Sequence, residues 1–304
     1  MPLGNATRDG LTLVFAHGLG SHKEQWETMI SSLFKNADGL VKEAWSLEWQ
    51  SHGESASRNA LALENRDAVS IEDYADLIRH FVESPFLKGK TIVAVGHSAS
   101  TTAWTLAVFQ LTIPICPIVA FVFFEPVQLI PPIVESDIRI KKGIMNVQAA
   151  QSRKTTFQNM QQAEKYFRKR LPWSLWDPRI IETFLEHGLM TLPNSTEVTT
   201  KCKASQEVWS YEPYVHLLAG HLYGKLCTTF PVHAIFGERP EMYSKKTRDV
   251  YSDGKEGRVL ASVAFIPRTG HLLVQERPDE AAQHIARVLS KVSLNKVDSI
   301  RAHL

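Results

Sequence analysis

Short, continuous runs of apolar residues alternate with stretches of helical periodicity along most of the chain. The apolar runs lie at residues 11–16, 41–48, 91–95, 119–124, 230–236 and 261–266. Continuous rather than alternating hydrophobicity is typical of parallel strands that are covered on both faces. Segments such as 71–82 and 278–292 carry apolar residues at three- and four-residue spacing, which predicts amphipathic helices. This alternation favours an α/β fold with an open, doubly wound, mostly parallel sheet of about six strands.

The pattern changes between residues 131 and 223, where helical periodicity dominates and almost no strand is predicted. Asp177 and Pro178 are a favourable cap and first residue for one helix, which Gly188 ends. We therefore predict a core domain of residues 1–130 and 224–304, with 131–223 inserted as a helical cap. Aromatic side chains of this cap are expected to roof a binding site and contact substrate, and the alternative is that they fill a small core within the cap. They are Trp173, Trp176, Trp209 and Tyr211.

The segment Gly96-His97-Ser98-Ala99-Ser100 stands between the predicted strand 91–95 and a predicted helix. Serine on a sharp strand-to-helix turn is the arrangement of a nucleophile elbow, in which the hydroxyl stands above the sheet edge at a helix N-terminus. The tight turn requires small neighbours, and the residues around Ser98 are small, although glycine is more usual than Ser100. The competing interpretation is a serine that only caps the following helix.

Two further loops offer the other groups that acyl transfer by a serine requires. His17-Gly18-Leu19-Gly20 follows the first predicted strand, and its glycines let backbone N–H groups face a ligand. The positions implied for an oxyanion hole are Leu19 and Ala99. Thr269-Gly270-His271 follows the last predicted strand, where a general base is expected in the chain order serine, acid, histidine. For each loop alone, the alternative is an ordinary glycine turn or an unrelated histidine, since the chain has 12.

Composition narrows the classes of function. The 304 residues carry 34 Lys and Arg against 32 Asp and Glu, a net charge of +2, which favours neither nucleic-acid nor anionic-membrane binding. The longest apolar stretch, 111–127, contains three prolines and Glu125 and is a poor membrane span. Few cysteines and no recognisable signal peptide favour a reducing compartment. The histidines lack metal-ligand spacing and no glycine-rich phosphate loop occurs, so no metal and no cofactor are expected.

Together, the serine elbow, the glycine loop and the late histidine resemble the α/β-hydrolase superfamily across nearly the whole chain. The HGLGSHKEQW segment beginning at His17, with Phe124-Glu125-Pro126 and Trp176-Asp177-Pro178, looks like a fungal subgroup that includes peroxisomal and toxin-biosynthesis hydrolases. The resemblance implies a β-hairpin before the first parallel strand. Because Leu11 already begins that strand, most of the hairpin is expected to be missing.

The acid of the expected triad is the point where the chain departs from the superfamily. The resemblance implies a carboxylate shortly after the glycine that ends the penultimate strand, but the segment 237–241 reads Gly-Glu-Arg-Pro-Glu. A second acid site known in the superfamily, at the end of the strand after the nucleophile helix, corresponds to Glu125. We therefore favour Glu125, with Glu241 and then Glu238 as reserves. A salt bridge or a helix cap is the competing role for Glu125.

These residues predict a serine hydrolase that cleaves an ester or a thioester through an acyl-enzyme on Ser98. Basic residues in the cap suit the phosphates of an acyl-CoA substrate, although a solvated helix face explains them more simply. The subgroup resemblance implies a fungal secondary-metabolite or toxin pathway. A carboxylesterase or lipase is the nearest alternative. A ligand-binding protein, or a lyase or cyclase on the same scaffold, is the alternative from another class, because fold alone does not decide function.

The last three residues, Ala302-His303-Leu304, form a small-basic-leucine tripeptide similar to a peroxisomal import signal. Recognition by a peroxisomal import receptor is therefore expected, and a cytoplasmic location is the alternative.

Overall fold

The computed structural model describes residues 10–292 except 38, 67, 132, 133, 135, 136 and 243, and leaves out the side chains of 138, 141–146 and 209. The strands are β1 Leu11–Ala16, β2 Val41–Leu47, β3 Ile92–His97, β4 Ile118–Phe124, β5 Thr156–Phe157, β6 Leu189–Thr191, β7 Val198–Thr200, β8 Val232–Gly237 and β9 Ser262–Ile266. The first helices are α1 Glu27–Asn36, α2 Gly53–Arg58, α3 Ala60–Glu64, α4 Ile71–Val82, α5 Ala99–Phe109 and α6 Ile138–Ser152. The others are α7 Met160–Lys169, α8 Pro178–His187, α9 Ala204–Val208, α10 Pro213–Thr229, α11 Lys245–Val250, α12 Leu273–Glu276 and α13 Pro278–Leu289.

A six-stranded sheet in the order β2-β1-β3-β4-β8-β9 forms the centre of the molecule, and every neighbouring pair is parallel. This confirms the predicted doubly wound sheet. The register pairs Ala16 with Gly96 and His97 with Phe124, so three strands end at one level. The loops that follow β1, β3 and β4 therefore meet at the carboxyl edge of the sheet, where ligands of open α/β sheets bind.

Helices cover both faces of the sheet, as the continuous apolar strands predict. In β1, Val14 and Ala16 belong to a hydrophobic core shared with residues of α4, α5 and α10. Leu13 and Phe15, which point to the other face, belong to a second core shared with α1 and α13. Successive side chains of a strand point to opposite faces of the sheet, so the residues of β1 are shared between the two cores. The sheet is consequently held between two helical layers, and its carboxyl edge is a fixed platform.

The region between the sheet halves contains strands that the sequence did not predict. β5, β7 and β6 form a three-stranded antiparallel sheet beside α7 and α8. The prediction of almost no strand in this region was therefore wrong. Strands of two or three residues are too short to display a period, so no sequence pattern reveals them. The aromatic side chains of Phe157, Phe167 and Phe184 pack beside them in a separate small core.

Helix α10 connects this region to the main sheet. Its buried residues Val215, Ala219 and Leu226 belong to the core that also contains α5. The predicted domain boundary at 223/224 falls inside this helix, and the division into core and cap remains a prediction. Among the described residues, no helix combines the length and the apolar character needed to cross a bilayer.

Candidate active site

Ser98 lies between the last residue of β3 and the first residue of α5. Its backbone has φ 54° and ψ −125°, a sparsely populated conformation for a residue with a side chain. Its N–H donates to Phe124 O across 3.0 Å, which ties the turn to β4. A Cβ at Gly96 would lie 3.0 Å from the Trp104 ring. The close packing around this turn therefore requires a small residue, as predicted. Ser98 thus has the strained turn of a nucleophile elbow.

Ser100, the departure from the usual glycine, is fully buried at this turn. Its hydroxyl donates to Ala16 O across 2.7 Å and accepts the N–H of His97 across 2.8 Å. The Ser100 side chain therefore connects the end of β1 to the elbow, a contact that glycine at this position could not make.

His271 connects the serine to a carboxylate. Its Nε2 lies 2.8 Å from Ser98 Oγ, and its Nδ1 lies 3.0 Å from Glu125 Oε2. Because a carboxylate oxygen only accepts, Nδ1 carries a proton, and Nε2 is the ring nitrogen that faces the serine hydroxyl. The second oxygen, Glu125 Oε1, accepts the N–H of Gly237 across 2.7 Å. Glu125 is 1% exposed and has φ 49°, another unusual backbone conformation at this edge.

The two reserve acids lie elsewhere around the same loop. Glu241 Oε2 accepts the backbone N–H of His271 across 3.0 Å, and Glu238 Oε2 accepts the N–H of Arg268 across 2.9 Å. Both carboxylates are exposed. Of the three candidates, Glu125 is the one with a described hydrogen bond to the ring of His271.

The loop that carries His271 is held by Arg239, which the sequence analysis did not single out. The guanidinium donates to both oxygens of Glu276 at 2.9 Å, to Glu241 Oε1 at 2.9 Å and to Arg268 O at 2.5 Å. Glu276 in turn accepts the N–H of Gly270 across 3.3 Å. Arg239 thus joins the segment after β8 to the histidine loop at several points.

The glycine loop after β1 is fixed by buried histidines. His17 Nδ1 donates to Gly18 O across 2.8 Å, and its Nε2 accepts the N–H of Trp49 across 3.1 Å. His52 Nε2 accepts the N–H of Gly20 across 3.1 Å. Burial lowers the pKa of His17 to about 4 and holds the pKa of His52 well below its usual value, so both rings are neutral near pH 7. The roles of these histidines were missed, although each directly precedes a glycine and His17 directly follows β1.

His97, beside the nucleophile, was also missed. Its Nε2 donates to the backbone O of His271 across 2.9 Å. Burial lowers its pKa to about 3, and the nearby His271 ring acts in the same direction, so His97 remains a neutral donor. Among the described residues, no three His, Cys, Asp or Glu side chains are grouped so as to hold a metal ion.

A cavity of about 1070 Å³ opens above Ser98, and the described part of its wall includes Leu19, Ala99 and His271. Leu19 and Ala99 are the positions predicted for the oxyanion hole, and both lie on the cavity with the serine. Trp173 and Tyr211, two of the residues predicted to contact substrate, also line it.

The other two predicted aromatic residues do not contribute described contacts to this wall. Trp176 is buried in the small aromatic core, where its ring centroid lies 5.7 Å from that of Phe184. The structure therefore places Trp176 in the packing of the cap region and not on the cavity. The side chain of Trp209 lies outside the described residues.

A family profile described as "Alpha/beta hydrolase family" matches residues 13–284. The chain belongs to the alpha/beta hydrolase family. The match spans the sheet, the serine elbow and the histidine loop, and it confirms the fold that the sequence predicts. No curated protein sequence matches this hydrolase.

Solved structures show the same fold at low sequence identity. Peroxisomal alpha-beta-hydrolase Lpx1 from Saccharomyces cerevisiae is 21% identical with a TM-score of 0.73, covering 95% of this chain and 78% of that one. E-2-(acetamidomethylene)succinate hydrolase is 17% identical with a TM-score of 0.68, covering 94% and 93%. A thioesterase domain from the curacin biosynthetic pathway is 12% identical with a TM-score of 0.61, covering 94% and 88%. At these identities the likeness concerns the fold.

Proposed function

We propose that this hydrolase cleaves a carboxylic ester or thioester through an acyl-enzyme on Ser98. The observation that carries the proposal is the continuous hydrogen-bonded chain from Ser98 through His271 to Glu125. Ser98 and His271 lie on the wall of a large cavity. Nucleophile, base and orienting acid in this order are the parts of a serine-hydrolase triad.

In the proposed reaction, His271 Nε2 takes the proton of Ser98 as Oγ attacks the substrate carbonyl carbon. The oxyanion that forms accepts hydrogen bonds from the Leu19 and Ala99 amides, and Glu125 stabilises the imidazolium. Collapse breaks the bond to the alcohol or thiol, which leaves with the proton from His271. Water then attacks the acyl-enzyme by the same steps, releasing the acid and regenerating the serine.

An acyl-CoA thioester, in a fungal secondary-metabolite or toxin pathway, is the proposed substrate class. The cavity is large enough for an acyl chain, and Arg170 reaches its wall while stacking at 5.3 Å on Tyr166. An exposed guanidinium at a cavity suits the phosphates of a CoA group. The likeness to a thioesterase domain supports the thioester, whereas the exposed apolar residues Ile140 and Leu171 on the same wall favour a carboxylesterase or lipase.

A fluorophosphonate probe, which reacts with activated serines, tests the mechanism. Wild type is compared with Ser98→Ala and His271→Ala, and with Ser205→Ala on the exposed side of α9 as a control. Labelling of wild type and the control, but of neither active-site variant, is expected. Turnover of matched acyl-CoA thioesters and oxygen esters then separates the two substrate classes. Failure of the folded wild type to label would favour a binding protein or a lyase or cyclase.

We also propose that this hydrolase is peroxisomal and is recognised by the import receptor through Ala302-His303-Leu304. The peroxisomal yeast hydrolase among the similar structures supports this location. The tripeptide itself lies outside the described residues. A fluorescent protein fused to the N-terminus, with and without the last three residues, tests it. Peroxisomal signal that requires the tripeptide is expected, and cytosolic signal from the intact fusion would contradict the proposal.

A further inference from the structure

A short 3₁₀ turn, Trp209–Tyr211, forms part of the cavity wall. Ser210 is 3% exposed, and its hydroxyl is buried with no hydrogen-bond partner among the described residues. The hydroxyl of Tyr211, on the same wall, makes no hydrogen bond within the described part of the chain. A buried hydroxyl without a partner is unfavourable unless another group satisfies it. The turn therefore has unused hydrogen-bonding capacity in two residues that line the cavity.

The turn is connected rigidly to the helix that carries the nucleophile. His216 Nε2 donates to Ser210 O across 3.0 Å, and Thr102 Oγ1 lies 2.8 Å from His216 Nδ1. Thr102 is fully buried in α5, one helical turn after Ser98. Burial lowers the pKa of His216 to about 4, so the neutral ring donates through Nε2 and accepts through Nδ1 near pH 7. The position of Ser210 relative to Ser98 is thus fixed before substrate binds.

The charges around the turn favour an uncharged partner. Burial raises the pKa of Tyr211 to about 12, with nearby Glu207 acting in the same direction, so the phenol keeps its proton and can donate. Two cations on this wall, the buried Arg139 and the half-buried Arg153, are bound to Asp137 and Glu207 respectively. Their charges are therefore already compensated inside the protein, and a second carboxylate would gain little there.

We infer that Ser210 and Tyr211 form a polar subsite that binds a ketone or hydroxyl oxygen on the acyl chain of the substrate. The inference rests on the proposed hydrolase function and adds to it a substrate class: oxygenated acyl groups rather than plain hydrocarbon chains. A plain chain leaves both hydroxyls unsatisfied, whereas an oxygen at the matching position accepts from them. Sites built to hydrogen-bond a substrate oxygen reject the analogue that lacks it.

Matched pairs of esters test the subsite. The two esters of a pair have acyl chains of the same length, and one of them carries a ketone or hydroxyl. Successive pairs place this oxygen at successive positions along the acyl chain. Wild type is expected to prefer the oxygenated member at one position by about tenfold in kcat/KM, the effect of one to two hydrogen bonds. Ser210→Ala and Tyr211→Phe should each reduce this preference several-fold, by lowering turnover of the oxygenated ester more than that of the plain one.

Tyr214→Phe and Ser205→Ala are the matched controls, because they remove the same groups from exposed positions. Both should keep the wild-type preference. Equal turnover of both members at every position, or variants that slow both members equally, would overturn the subsite.

Binding to Ser98→Ala separates the subsite from the reaction. Non-hydrolysable acyl amides, with and without the oxygen, are titrated calorimetrically into Ser98→Ala and into Ser98→Ala combined with Tyr211→Phe. Tighter binding of the oxygenated amide that is lost in the double variant supports the subsite, even if no ester is hydrolysed and the proposed function fails. Hydrolysis of esters without any difference in amide binding would overturn the subsite and leave the proposed function standing.

Discussion

The backbone N–H of Gly237 donates to Glu125 Oε1 across 2.7 Å, while the other oxygen of that carboxylate contacts His271. Gly237 ends β8, after which the superfamily resemblance implies the triad acid. In this chain the strand instead supplies an amide donor to a carboxylate at the end of the neighbouring strand β4. Both oxygens of a nearly fully buried carboxylate are thereby satisfied, which a charged group in that position requires.

Glu125→Gln is expected to reduce kcat by about 10³- to 10⁴-fold while the protein stays folded. The amide cannot stabilise the imidazolium, and it can hold the ring of His271 in the wrong tautomer. Turnover of a chromogenic ester measures kcat, and circular dichroism monitors the fold.

Glu241→Gln is the matched control, because it neutralises a reserve acid whose described bonds go to the backbone N–H of His271 and to Arg239. Its kcat should fall by far less than that of Glu125→Gln. A large loss in Glu241→Gln, together with near-normal turnover in Glu125→Gln, would transfer the acid role to Glu241.

Arg239→Met is expected to lower kcat by about 10- to 100-fold with little change in KM. The substitution frees the loop of His271 from Glu276 and Arg268 O, and small displacements of a catalytic group cost about this much. The control is Arg79→Met on α4, which breaks the ion pairs of Arg79 with Asp76 and Glu83. Arg79 is distant in sequence from the loop. A steady-state comparison on one ester suffices. An equal loss of thermal stability in both variants, with kcat lowered in neither, would contradict a positioning role.

The residues that the sequence located are those whose chemistry depends on local order along the chain. Ser98 follows a strand and precedes a helix, and His271 follows the last strand. The hydrophobic pattern that predicts these elements was therefore sufficient to single out both residues. Arg239 and Ser210 carry no such pattern. Arg239 contacts Glu276, 37 residues further along the chain, and Ser210 is held by His216, which in turn contacts Thr102, 114 residues earlier. One chain does not reveal such long-range pairs. Trp176, in contrast, was predicted to contact substrate but lies in the small aromatic core. The sequence does not distinguish these two positions, because an aromatic residue in this region fits either one.

Gly237→Ala is expected to lower kcat at least tenfold. The added Cβ would lie 2.3 Å from Gly270 O and 2.8 Å from Thr269 O, so the loop must shift immediately before His271. Gly89→Ala is the control: it has φ +73° and no atom within 4 Å of the added Cβ. That variant should lose about 1 kcal/mol of stability from backbone strain and keep its kcat. Equal kcat in the two variants would show that the loop accommodates the methyl group.

The stability of the fold is expected to fall as the pH is lowered from 7 to 5. His17, His97 and His216 are buried and neutral, with pKa values lowered to about 4, about 3 and about 4. In the unfolded chain their pKa returns to the ordinary value near 6.5. Between these values the unfolded state binds protons that the folded state does not, so each histidine lowers the stability of the fold by about 2 kcal/mol between pH 7 and pH 5.

Urea unfolding at pH 7.5, 6 and 5 measures this dependence, and His216→Gln isolates one of its sources. Glutamine can donate to Ser210 O and accept from Thr102, but it does not titrate. The variant is expected to be less stable at pH 7.5 than wild type, because an amide fits the ring site less well. Its loss of stability between pH 7.5 and 5 should nevertheless be smaller by about 2 kcal/mol, since one fewer proton is taken up on unfolding. Parallel curves for the two proteins would mean that His216 is not held neutral by the fold.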